Sequence, residues 1–153
     1  GVVVKAIGDV SVRFSRCCNP VPGDEIIGFV TRGRGVSIHR TDCANIINLS
    51  EEDRHRLIDA EWEISRKDGS GPSLSFQAEI RLLCIDRSNI ILDLSKVLSE
   101  ENLPVKSFNA RTTKDMLSIV NIVLEITSKE QLEKVCTHLK NVKGVEDIER
   151  VNS

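Results

Sequence analysis

From Leu74 to Val151 the apolar residues change period in one succession, and few folds accept it. Leu74 to Ile85 is strand-like. Asn89 to Asn102 then repeats Ile90, Ile91, Leu94, Val97 and Leu98 at helical spacing, behind Ser88 as a good N-cap. Pro104 to Thr113 reads as a strand, with a turn near Lys114 and Asp115, and Met116 to Thr127 as a second one rich in Ile and Val. Ser128 caps a helix whose Leu132, Val135, Cys136 and Leu139 share a face; Lys143 and Gly144 end it, and Val145 to Val151 is the last strand. The order βαββαβ is the ferredoxin-like arrangement. Right-handed crossovers fold it into a four-stranded antiparallel sheet with two helices on one face.

A polar stretch from Arg66 to Pro72, with two Gly and a Pro, precedes this pattern. Such composition marks a boundary. It divides the chain into residues 1–66, a linker at 67–73 and residues 74–153. The first part reads as a small β-rich module. Val10, Val12 and Phe14 alternate with polar residues, and Ile26 to Thr31, Val36 to His39 and Leu57 to Ile64 are further strands. Gly33 and Gly35 bracket Arg34 in a tight reversal. Thr41 or Asp42 is expected to cap a short helix through Cys43, Ile46 and Leu49, and Glu51-Glu52-Asp53 is read as a solvated turn. The fold class is therefore α+β throughout. With aromatics at only 3%, both cores must be built from Val, Ile and Leu.

A net charge of −2 gives no bulk attraction to nucleic acid or anionic lipid, so RNA binding needs a local basic patch. No apolar run approaches the roughly 18 residues of a membrane span, and no membrane partner is expected. The opening Gly-Val-Val-Val lacks the basic start of a signal peptide, and a first residue other than Met suits a piece of a longer protein. Five Cys, an odd number, without a secretory signal read as thiols of a reducing, cytoplasmic compartment. His39, His55 and His138 lie on separate elements, and no nucleophile elbow or P-loop is present. No catalysis is expected of this chain.

Two local constellations remain. Lys5, Arg13, Arg16, Arg32, Arg34 and Arg40 face only Asp9, Asp24 and Glu25 over the first 40 residues. Guanidinium forks match phosphate oxygens and stack on exposed bases, although a solvated hairpin tip carries such charges too. Cys17, Cys18, His39 and Cys43 are the ligand types of zinc. The adjacent pair is the obstacle, because neighbours on a strand point to opposite faces. Asn19-Pro20 would supply the needed kink; otherwise one cysteine packs in the core as a small hydrophobe.

The run Cys17-Cys18-Asn19-Pro20-Val21-Pro22-Gly23-Asp24-Glu25-Ile26, followed by Thr31 to Arg40 and Asp42-Cys43, closely resembles one module of long RelA/SpoT-type (p)ppGpp synthetase/hydrolases. It is their ribosome-intersubunit or zinc-finger domain, which precedes an ACT domain. The second segment, with Asp86-Arg87-Ser88 before its first helix, resembles that ACT domain. Together the two resemblances cover nearly the whole chain. They imply a parent GTP pyrophosphokinase that makes and hydrolyses (p)ppGpp with N-terminal domains, and a regulatory tail that binds the ribosome when uncharged tRNA is present. On this reading Arg13, Arg16, Arg32, Arg34, His39 and Arg40 contact rRNA and tRNA, and the tail controls the catalytic domains of the same chain in the stringent response. Asp86, Arg87, Ser88 and Asn89 form the loop where amino-acid-sensing ACT relatives hold ligand against a helix N-terminus. Those relatives carry Gly at the position matching Asn89, so amino-acid binding is doubtful here. Zinc is the only cofactor in view, and a homodimer through the ACT module is a further expectation.

Overall fold

The computed structural model describes residues 2–4, 11–33, 35–62 and 76–151. The chain divides into two compact units between Leu74 and Ser75. Arg34 and the expected linker at 67–73 lie outside the described residues.

The first unit is a five-stranded sheet in the order β1-β5-β3-β4-β2. Its strands are β1 (Val2–Val4), β2 (Val12–Phe14), β3 (Ile26–Thr31), β4 (Gly35–Arg40) and β5 (Leu57–Trp62). β3, the expected strand, pairs antiparallel with both β4 and β5. β1, which shows no period in the sequence, pairs antiparallel with β5, and β2 runs parallel to β4. The parallel pairing depends on glycine. At Gly35, φ is +86° and an added Cβ would stand 2.1 Å from the Ser11 carbonyl oxygen, which accepts the Val36 N–H at 2.8 Å. Val36, Ile38 and Ala60 are buried on one side of the sheet, with Val12, Ile26, Val30 and Ile58 packed against them.

Two short helices, α1 (Ala44–Ile47) and α2 (Glu51–Arg54), connect β4 to β5. Both differ from the expectation. Cys43, not Thr41 or Asp42, takes the N-cap position of α1, and its side chain makes no cap bond because it turns into the core. The Glu51-Glu52-Asp53 run is a helical turn, capped by Ser50 accepting from the Asp53 N–H, with its acids at the positive end of the helix.

The second unit has the expected βαββαβ order: β6 (Phe76–Ile85), α3 (Ile90–Glu100), β7 (Val105–Thr112), β8 (Leu117–Ile126), α4 (Lys129–Lys140) and β9 (Val145–Arg150). The sheet order is β7-β8-β6-β9 with every pairing antiparallel. Alternation places Ala78, Ile80, Leu82 and Cys84 of β6 and Val120, Ile122, Leu124 and Ile126 of β8 on the covered face. Leu94 and Leu98 of α3 and Leu132, Val135 and Leu139 of α4 complete this aliphatic core. Ser128 caps α4 as expected, accepting from the Gln131 N–H at 3.2 Å. At α3 the cap is Asn89 rather than Ser88.

Candidate metal centre

β4 is an interior strand whose residues are all buried or half-buried, so both of its faces are covered. Alternation sends Ser37 and His39 to the face away from Val36 and Ile38. That face meets the turn after β2. The chain leaves the strand at Phe14, and the Asn19 N–H closes the turn on the Ser15 carbonyl at 3.0 Å. Asn19 itself is left-handed at φ +45°, a conformation asparagine tolerates. Cys17 and Cys18 therefore sit on a turn, where neighbouring side chains are not forced apart. This removes the geometric objection raised by their adjacency. Cys43 arrives from the start of α1.

The four donors converge. His39 Nδ1 lies 3.4 Å from Cys17 Sγ and 3.8 Å from Cys18 Sγ. Cys17 Sγ is 3.6 Å from Cys43 Sγ and 4.0 Å from Cys18 Sγ, and all four ligand atoms lie within 4.8 Å of one another. A tetrahedral ion bonded to sulfur and nitrogen needs S···S separations near ~3.8 Å and S···N near ~3.5 Å. The group could hold a metal ion, and its spacing is that of a closed site without an open coordination position.

The surroundings are those of a ligand set. His39 turns Nε2 to Ser15 Oγ at 2.9 Å and Ser37 Oγ at 3.2 Å, and the Ser37 hydroxyl donates to the Phe29 carbonyl at 3.4 Å. A proton held on Nε2 by these oxygens leaves Nδ1 as a lone pair facing the thiols. The Arg40 N–H donates to Cys18 Sγ at 3.3 Å, a bond that favours thiolate. Burial acts the other way: it pushes Cys18 up to about 12, raises Cys43, and lowers His39. Ser15 and Ser37 were not singled out from the sequence, though the i, i+2 spacing of Ser37 and His39 on one strand carried the signal.

The basic residues separate into two groups. Arg13 on β2, Arg16 in the turn after it and Arg32 in the β3–β4 turn are exposed, and none forms an ion pair among the described residues. Arg40 leaves the set. It lies on the covered face of β4 with 4% exposure, and Asp42 takes its Nε at 2.8 Å and its Nη2 at 3.3 Å. Its Nη1 is buried without a hydrogen-bond partner. His39 leaves the set too, because its ring is engaged between the thiols and the two serines.

In the second unit the Asp86–Asn89 loop is bound internally. Arg87 donates Nε to the Lys143 carbonyl at 2.7 Å, Nη1 to the Ser88 carbonyl at 2.8 Å and Nη2 to Asp93 at 2.8 Å. The Asp86 N–H donates to the Met116 carbonyl. Asn89 is left-handed at φ +68° and makes no side-chain cap bond. Asparagine thus serves the backbone conformation for which glycine is also suited.

Fold and site together define a two-part chain: a β module tied by a three-thiol, one-imidazole centre, followed by a ferredoxin-like module. Residues 2–63 match the RelA/SpoT RIS domain family and residues 72–150 the ACT domain family. The chain belongs to the RelA/SpoT family, carrying a RIS domain and then an ACT domain. It is 40% identical over 153 residues to a GTP pyrophosphokinase of Streptomyces coelicolor, covering 100% of this chain and 17% of that protein. It is 34% identical over 152 residues to the GTP pyrophosphokinase of Escherichia coli, covering 99% of this chain and 20% of the relative. A bifunctional (p)ppGpp synthase/hydrolase RelA of Mycobacterium tuberculosis is 36% identical, with 100% and 20% covered. The chain thus spans about a fifth of the relatives it matches. The ACT domain of a Chlorobium tepidum GTP pyrophosphokinase is similar in structure, with a TM-score of 0.46, 22% identity, and coverage of 50% of this chain and 99% of that one. No helix among the described residues is long and apolar enough to cross a membrane.

Proposed function

We propose that this chain is the C-terminal regulatory region of a cytoplasmic RelA/SpoT-type enzyme, divided at 1–66, 67–73 and 74–153. It performs no chemistry itself. Its first module contacts rRNA and uncharged tRNA, and the tail restrains or releases the catalytic domains of the parent chain. The observation that carries this reading is the RIS match together with three exposed arginines of the first module, Arg13, Arg16 and Arg32, that enter no ion pair among the described residues.

The centre would hold Zn²⁺ through Cys17, Cys18, Cys43 and His39 Nδ1, and the ion would supply structure rather than catalysis. Its role is to clamp the turn after β2 to the end of β4 and the start of α1, which sets Arg16 on that turn and Arg13 just before it on a firm base; Arg32 lies at the other end of β4, held by the β3–β4 hairpin. Arg34, outside the described residues, belongs to the same proposed RNA-contacting set; Arg40 and His39 serve it from within.

Ribosome pelleting with the full-length protein tests the proposal. Arg13, Arg16 and Arg32 changed together to Ala should weaken binding at least ~10-fold. The dependence on salt should flatten as well, since fewer neutralised phosphates release fewer counterions. A triple variant that pellets with stalled ribosomes like the wild type defeats the assignment.

A further inference from the structure

Cys17, Cys18 and Cys43 are alike as ligand types but not in access or in partners. Cys17 is half-buried, whereas Cys18 and Cys43 are buried. The Cys17 Sγ lies 3.6 Å from Cys43 Sγ and 4.0 Å from Cys18 Sγ. Cys17 stands on the turn after β2, and Cys43 takes the N-cap position of the four-residue α1. Neither belongs to a strand ladder, so the shift of ~1.6 Å that would bring their sulfurs to the ~2.0 Å of a disulfide breaks no sheet pairing. Cys18 is held differently. Its sulfur accepts the Arg40 N–H at 3.3 Å. It also adjoins Cys17 in the chain, and consecutive Cα atoms stand ~3.8 Å apart, closer than the ~4.4 Å at which disulfide geometry begins. Cys84 and Cys136 lie in the second unit, outside the cluster.

We propose that Cys17 and Cys43 are an oxidisable pair, which hydrogen peroxide closes reversibly to a disulfide. The Cys17 sulfur takes one oxygen from the peroxide and becomes a sulfenic acid, while the other oxygen leaves as water. The Cys43 sulfur then displaces that hydroxyl, which departs with the Cys43 proton as a second water. Two thiols and one peroxide thus give one disulfide and two waters; the sulfurs lose two electrons and the peroxide gains them. Where the sulfurs start as metal-bound thiolates, the oxygens leave as hydroxide instead. In the cytoplasm proposed above, a thiol reductant reverses the bond by exchange, as with other transient disulfides of reducing compartments. The consequence for the metal centre rests on the zinc reading given above. The disulfide withdraws two of the three sulfur ligands, so the ion is released. The turn after β2 stays tied to α1, now by a covalent bond spanning 26 positions of the chain.

The whole 153-residue chain, loaded with zinc and treated with hydrogen peroxide, tests this. Remaining thiols are alkylated in denaturant, and trypsin then releases residues 17–32 and 41–54. Mass spectrometry should find these two peptides cross-linked, with the alkyl group on Cys18, and dithiothreitol should separate them. A chromogenic chelator should record release of one ion per chain in step with the cross-link. A disulfide from Cys18 to either neighbour overturns the proposal. So does oxidation of Cys17 to sulfinic acid without a cross-link, or survival of all three thiols under peroxide that oxidises the denatured chain. The same treatment without added metal separates the two readings. A chain that takes up no zinc yet forms the Cys17–Cys43 bond supports the pair and removes the metal. A chain that holds zinc and forms no such bond does the reverse.

Discussion

Single side chains in this protein are assigned by what surrounds them rather than by their type. Arg40 and Arg32 are the same residue type eight positions apart, yet one is buried with an exposed Asp42 on its guanidinium and the other stands in solvent on a turn. The buried Arg40 Nη1 without a partner costs roughly 1–3 kcal/mol, offset by a bidentate carboxylate and by the bond from its backbone N–H to Cys18. Among the cysteines, Cys136 shows how burial dominates reactivity. Burial pushes its thiol up to about 11, with Arg150 opposing and Glu133 adding to the shift. Unfolded thiols ionise near ~8.5. The folded state therefore keeps its full advantage below that pH and loses it as pH rises towards about 11, since the unfolded chain ionises first. Alkylation followed by mass spectrometry at pH ~8 should find Cys136 ~100-fold slower in the native protein than in denaturant. Equal rates would mean that the thiol is not shielded.

At the scale of elements, the β6–α3 junction is the most tightly specified turn of the second unit. Arg87 binds three acceptors: the Ser88 carbonyl within the turn, Asp93 on α3 and the Lys143 carbonyl on the loop after α4. Gly144 on that loop has φ +102°, and a Cβ there would come 3.1 Å from Arg87 Nε. The turn then needs a left-handed residue at Asn89 to start α3. Asn89→Gly should leave stability within about 0.5 kcal/mol, whereas Asn89→Val should cost roughly 1–2 kcal/mol, because a branched side chain resists positive φ. Denaturant titration of the two variants separates these outcomes; equal destabilisation would show that the side chain and not the backbone angle matters.

For the whole molecule, the two units have separate cores. In the first, Cys18, Cys43 and Ile46 form a small cluster with Ile27, Leu49 and Leu57, so the proposed metal site is also the packing centre beneath α1. A structural zinc site contributes on the order of 10–16 kcal/mol in small modules, comparable to the entire stability of a domain. Chelation, or Cys43→Ser, should therefore unfold the first unit while the aliphatic second unit persists. Hydrogen exchange would show β3 and β4 losing protection while β6 and β8 keep it. Simultaneous deprotection of both units would show that they fold as one, and retention in both would remove the structural role of the metal.

The second unit is legible because alternation and helical spacing report directly which face is buried. β6, β8 and α4 depend on one apolar stripe each, and Ser128 marks the start of α4 in the residues themselves. The α3 cap falls one residue beyond the serine that the sequence suggests, because a left-handed backbone angle leaves no trace in hydropathy. The first unit is less open to such reading. β1 and β2 are three residues each, too short to display a period, and both are fixed by distant partners. The sequence alone determined the βαββαβ order of the second unit and the types of ligand at Cys17, Cys18, His39 and Cys43. Only the tertiary structure decided that two adjacent thiols share one centre and that Arg40 is internal. The physical reason is that these outcomes depend on long-range strand pairing, which brings together residues whose separation along the chain carries no local signal.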